Sequence, residues 1–189
     1  MFRSLIAAGL IAVSGAAQAD VSNYVVDPAH TWVTWEAQHF GTSTLRGRFD
    51  KKAGQVTLDR AARTGHAEIV IDTTSISTGT AQFDNHLKSK DFFNVAEAPT
   101  AKFVGDKFVF DGDKVTEVSG TLTIMGKTRA VTLKASKFNC FDHPMLKREV
   151  CGGDFETAIA RSQFGLNYGL PAVAPDSIRL LIQIEAVKQ

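Results

Sequence analysis

The chain is short of cysteine, proline and surplus charge, and each shortage narrows what it does. Only 2 of its 189 residues are cysteines, and Cys140 and Cys151 lack the two-residue gap of zinc or dithiol redox motifs. Lys and Arg total 21 against 20 Asp and Glu, a formal charge of +1. That balance excludes the basic surplus on which non-specific nucleic-acid binding draws. With 5 prolines and no low-complexity stretch or repeat, nothing between residues 20 and 189 reads as a linker, so one domain is expected. Catalytic motifs are missing too: no metalloprotease helix, phosphate loop, dinucleotide fingerprint or nucleophile elbow is present. His30, His39, His66, His86 and His143 are scattered, and Ser75, Ser77 and Ser162 have no neighbouring base.

The N-terminus is the one strongly apolar stretch. Arg3, the run Leu5 to Val13 and Ala17-Gln18-Ala19 follow the order of a secretory signal peptide, with cleavage expected after Ala19. The run is far shorter than the roughly 20 residues of a membrane-spanning helix. No cysteine stands at the cleavage site, so no stable membrane anchor is expected. Loss of Arg3 with residues 1–19 leaves 20 basic and 20 acidic side chains. In an oxidising compartment Cys140 and Cys151 read as a disulfide enclosing a loop, Phe141 to Val150, with a stabilisation of about 3 kcal/mol.

What remains is dominated by period-two alternation. Leu122 and Ile124 alternate with threonines, Gly126 turns the chain, and Val131, Leu133 and Ala135 repeat the pattern, which predicts an antiparallel hairpin. Ile178, Leu180, Ile182 and Ile184 form the clearest strand. Weaker strands are expected at Trp32–Phe40, Thr42–Phe49, Gly54–Leu58, His66–Asp72, Ala101–Phe110 and Ala158–Phe164. One short helix is predicted over Thr80–Ser89, with Phe83 and Leu87 on one face. The expected class is all-β, an antiparallel barrel of about eight strands, although periodicity alone leaves a sandwich open. The 13 phenylalanines admit two readings, a packed aromatic core or an open interior that takes an apolar ligand.

Several motifs then resemble the YceI-like, polyisoprenoid-binding proteins. They include Tyr24-x-x-Asp27-Pro28-x-His30, His39-Phe40-Gly41-x-Ser43-x-x-Arg46-Gly47-x-Phe49 and Ser75-Ile76-x-Thr78-Gly79. Further on come Asp84-x-His86-Leu87-x-Ser89-x-Asp91-Phe92-Phe93, Pro99-Thr100-x-x-Phe103, Gly120-x-Leu122-Thr123-Ile124-x-Gly126-x-Thr128 and Arg161-Ser162-x-Phe164-Gly165. The resemblance implies a lipocalin-like barrel over residues 20–189, periplasmic, holding an amphiphilic isoprenoid such as a polyprenyl phosphate or ubiquinone, with no catalytic mechanism and no cofactor. Phe83 stands where many members carry an arginine.

On this reading the ligand's tail would touch Trp35, Phe40, Phe83, Phe92, Phe93, Phe103, Leu122 and Ile124, and its polar end His39, Arg46 and Asn94. His39 shares parity with Val33, Trp35 and Ala37, which places an imidazole on the apolar face. The alternatives are a metal-dependent or hydrolytic enzyme built on His39, His86 and Asp84, and a ligand-free scaffold barrel. Pairing into a homodimer is left open.

Overall fold

A computed structural model describes residues 21–189; the expected signal segment lies outside the described residues. The strands are β1 (Ser22–Val26), β2 (Trp32–His39), β3 (Ser43–Phe49), β4 (Lys52–Asp59), β5 (Thr64–Asp72), β6 (Ile76–Ser77), β7 (Thr100–Asp111), β8 (Lys114–Ile124), β9 (Lys127–His143), β10 (Arg148–Ala160) and β11 (Ser177–Lys188), with helix α1 at Ala81–Lys88. All pairings are antiparallel.

They make a closed barrel of eight strand positions. β1 and β2 share one position, β3 and β4 the next, and β5 with the two-residue β6 the third; β7 to β11 take one each. The seam lies along β11. One of its edges pairs with β10, and the other pairs with β2 from Arg179 to Gln183 and then with β1 from Ala186 to Lys188. Closure excludes the sandwich and removes the long free edges that would invite association.

Alternation decides which side chains enter the barrel. In β2, Val33, Trp35 and Ala37 are buried, and in β5 Ala67, Ile69 and Ile71 are buried, while their sequence neighbours face water. The hairpin predicted around Gly126 is β8–β9, and the clearest predicted strand is β11. Helix α1 matches the expected segment, with Leu87 buried.

Three expectations change. The Phe141 to Val150 segment is not a loop: β9 runs to His143 and β10 begins at Arg148, so the disulfide joins directly opposed residues of a hairpin. The segment Ala158–Phe164 is not a strand of its own but the end of β10 followed by a tight 3₁₀ turn at Arg161–Phe164. Strand β1 and most of β10 were not foreseen. Gly152 and Gly153 interrupt the apolar pattern of β10, where neighbouring backbone lies too close for any Cβ.

The two ends of the barrel are finished differently. At one end, called the upper, α1 and the segment 161–176 lie over the opening. At the lower end bulges after Gly105 and Val109 bend the β7–β8 hairpin, and Phe108, Val115 and Val118 face the interior. Nearby, Tyr24 donates its hydroxyl to Glu149 at 2.6 Å and Arg60 donates to the same carboxylate at 2.7 Å. Burial and the adjoining carboxylate push the Tyr24 phenol up to about 12. Burial alone would raise the Glu149 carboxyl. The Tyr24 hydrogen bond, with the charge and hydrogen bond of Arg60, outweighs it and holds the group below the usual carboxylate range.

Because folded Glu149 titrates below its unfolded counterpart, its contribution is complete above about pH 4.3 and is lost as pH falls through the folded value. Glu149→Gln is expected to cost about 2 kcal/mol at pH 7. In urea titrations its deficit should narrow steadily towards pH 3; a deficit independent of pH would show that the carboxylate charge contributes nothing. Replacing Cys140 and Cys151 together by alanine should cost about 3 kcal/mol in the same assay, and intact mass of the untreated protein should show no alkylatable thiol.

Candidate functional site

Two chambers lie in line inside the barrel, a lower one of about 120 Å³ and an upper one of about 310 Å³. Val33, Ile71, Leu122 and Leu180 line both and form a waist between them. The lower chamber presents an entirely apolar surface, made by side chains such as Ile69, Phe103, Phe138, Phe155 and Ile182. Tyr24 and Thr31 also border it, but their hydroxyls are turned away, to Glu149 and to the Glu185 carbonyl. A chain entering this space meets no hydrogen-bonding group.

The upper chamber differs in having a roof and a few polar atoms. Its wall comes from Trp35, Ala37, Leu45, Phe49 and Ile124, and α1 with the turn after it supplies Phe83, His86, Leu87, Phe92 and Phe93. Tyr168, Val173 and Ala174 reach in from the segment 161–176. Three rings from three elements meet here: His86 lies 5.0 Å from Phe92 and 4.9 Å from Tyr168, edge to face, with Phe92 and Tyr168 5.2 Å apart. Such contacts add modestly to area burial and fix orientation. They tie the helix side of the roof to the loop side.

The loop side is held by one buried cation. Arg161 donates Nε to the Pro175 carbonyl, Nη1 to Leu166 and Tyr168, and Nη2 to Ala174. Burial disfavours its charge, and the nearby Asp176 opposes that effect. Asp176 in turn accepts from both the backbone N–H and the hydroxyl of Ser162. The Arg161-Ser162 pair therefore shapes the roof, and its donors are spent on main-chain carbonyls.

Of the residues singled out from the sequence, Trp35, His39, Phe83, Phe92, Phe93 and Ile124 border the upper chamber, Phe103 the lower, and Leu122 the waist. Three lie elsewhere. Arg46 alternates with the inward Leu45 and Gly47, so it faces outward and bonds Glu36 at 2.8 Å. Phe40 follows the last residue of β2, takes a left-handed conformation with φ 49° and is 62% exposed. Asn94, also left-handed, donates to Glu97. The parity of β3 was readable in the sequence and would have turned Arg46 away. By contrast, Leu166, Tyr168 and Val173 sit in an aperiodic loop, and no pattern announced them.

Among the described residues, the group of three side chains with metal-ligand atoms close together is Cys140, Glu149 and Cys151. Both of its sulfurs are joined in the disulfide. Asp84, grouped with His39 and His86 in the enzyme alternative, instead accepts from the Thr78 N–H and hydroxyl and anchors the start of α1.

The family model described as a YceI-like domain matches residues 24–186. Protein YceI of Escherichia coli O157:H7 is 33% identical over 177 residues, spanning 92% of this chain and 91% of its own. Among solved structures, Burkholderia cenocepacia BcnA superposes with a TM-score of 0.68 at 24% identity, covering 85% of this chain and 98% of that one. A polyisoprenoid binding domain from Saccharophagus degradans does so with a TM-score of 0.65 at 16% identity, covering 88% and 98%. These last two establish the shared fold. With the family model covering nearly the whole described barrel, the chain belongs to the YceI-like family.

Proposed function

We propose that this protein binds an amphiphilic isoprenoid lipid, a polyprenyl phosphate or an isoprenoid quinone, inside the barrel and carries or stores it in the periplasm. The observation that carries the reading is the pair of apolar chambers inside the barrel, which share Val33, Ile71, Leu122 and Leu180. A solid core would have filled that space, since protein interiors normally pack without voids larger than a water molecule. The upper chamber alone reaches the range of roughly 300–1,000 Å³ usual for ligand pockets. The polyisoprenoid binding by the Saccharophagus neighbour and the signal-like N-terminus support ligand class and compartment.

Each methylene moved from water into such a space gains about 0.8 kcal/mol, so several isoprene units supply ample gross driving force. Association and ligand ordering offset much of it. Polar atoms are confined to the upper end, which favours a tail-first orientation: the hydrocarbon occupies the lower chamber and waist, and the polar end stays in the upper chamber, which Trp35, His39, His86 and Tyr168 border.

Mass spectrometry of an organic extract from gently purified protein should reveal a prenyl lipid near one equivalent. Absence of any such lipid, together with no uptake of added ubiquinone or polyprenyl phosphate, would overturn the reading. The waist gives a second test. Leu122→Trp should obstruct passage between the chambers, so the variant should retain only shorter-chain lipids while circular dichroism shows the barrel intact. Unchanged chain lengths in a folded variant would place the tail somewhere other than the waist.

A further inference from the structure

The wall of the upper chamber holds a buried polar atom whose need for a partner is unmet among the described residues. The indole Nε1 of Trp35 is buried and, among the described residues, has no hydrogen-bond acceptor, on a residue only 8% exposed. Buried donors are almost always paired, and an orphan calls for an explanation.

The local sheet explains why the protein supplies no partner. Trp35 faces Gly47 across β3 and Leu180 across β11, and its same-face neighbours along β2 are Val33 and Ala37. None of these four side chains has an acceptor. Gly47 is what lets the ring lie there: a Cβ at that position would come within 2.4 Å of Trp35 Cζ2 and 2.8 Å of Nε1. The Phe83 ring lies nearly perpendicular to the indole, with centroids 6.5 Å apart. The indole is thus seated in an apolar frame one layer above the waist, where Val33 and Leu180 border both chambers.

We propose that Trp35 is the polar anchor of the ligand, its indole N–H donating to a carbonyl oxygen of a neutral, quinone-type isoprenoid whose tail passes the waist. This inference rests on the lipid-binding reading and narrows it. Nε1 is closed off from water, so the ring must tilt towards the chamber as the carbonyl arrives. The chemistry selects against a phosphate at this point. A phosphate would be a charge surrounded by Val33, Ala37, Gly47 and Leu180, and one N–H does not offset its desolvation, whereas a carbonyl needs a single donor. The chamber's buried cation, Arg161, already gives its hydrogen bonds to four main-chain carbonyls.

The test uses the mature protein labelled with ¹⁵N, decylubiquinone as probe and decylbenzene as a carbonyl-free control. Trp32 and Trp35 give the two indole resonances, and Trp35→Phe identifies which is which. Decylubiquinone should move the Trp35 indole proton downfield and decylbenzene should not. Trp35→Phe should weaken decylubiquinone binding about ten-fold more than it weakens decylbenzene binding, the difference being the part owed to the carbonyl. If decylubiquinone binds the wild-type protein but leaves the Trp35 resonance in place, or binds Trp35→Phe equally well, the anchor is disproved while the lipid-binding barrel stands. If geranylgeranyl phosphate produces the same shift, the preference for a neutral head group falls. Failure of every probe to bind the wild type overturns both.

Discussion

The architecture depends on β11 pairing with both the preceding strand and the N-terminal strands. Without that seam the sheet would have two free edges and its apolar face would open to water. Three of the eight strand positions are interrupted, and the first one breaks between Val26 and Trp32. The backbone of Glu185 covers the break: its carbonyl accepts from the Asp27 N–H and from the Thr31 hydroxyl, and its own N–H donates to Thr31. The second position breaks at Asp50 and Lys51, where the Ser75 and Asp72 backbones close the gap in the same way. The wall therefore stays continuous in hydrogen bonding while its strands do not, which is how the chamber remains sealed from the side.

A hollow interior has a thermodynamic consequence. Side chains around a void lack the contacts that a filled core provides, so stabilisation has to come from elsewhere. Here it is concentrated near the ends. The lower end has the Tyr24–Glu149–Arg60 network and the Cys140–Cys151 bond, both on or against β10. The upper end has Arg161 gathering four carbonyls and Asp176 holding Ser162. Both groups fasten backbone without projecting polar atoms into the lower chamber or the waist.

How much of this was legible follows from the physics of each element. Strands with one wet and one dry face advertise themselves through alternation, so β2, β5, β8 and β11 could be read from Trp32, Ile69, Leu122 and Ile178 onward. Alternation reports that two faces differ. It does not report whether the dry face meets another sheet or a void, and that is why Trp35 and Phe103, both on alternating strands, gave no sign that they border different chambers. Strand β10 hid its pattern behind Gly152 and Gly153, residues selected by close backbone approach instead of by a burial period. The roof was least legible: Tyr168 is positioned by a hydrogen bond from Arg161, and Val173 by bonds to the Gly169 carbonyl and from the Phe40 N–H, contacts that leave no periodic signature. Arg46 misled because a cation amid a family-like motif suggested a head-group contact, yet it shares the outward parity of Arg48.

The distribution of polar atoms gives the interior a direction. Below the waist every hydroxyl at the wall is turned outward and every exposed lining atom is apolar, so a polar group placed there would lose its hydration with nothing in return. Above the waist the imidazoles of His39 and His86 border the space, with Tyr168 at the roof. An amphiphile is therefore discriminated less by total affinity, which any long hydrocarbon would achieve, than by where its polar atoms fall along its length. A molecule with a single polar end and a tail long enough to cross the waist matches that arrangement. One with polar groups at both ends pays a desolvation penalty whichever way it enters, because only one end of the barrel can answer it.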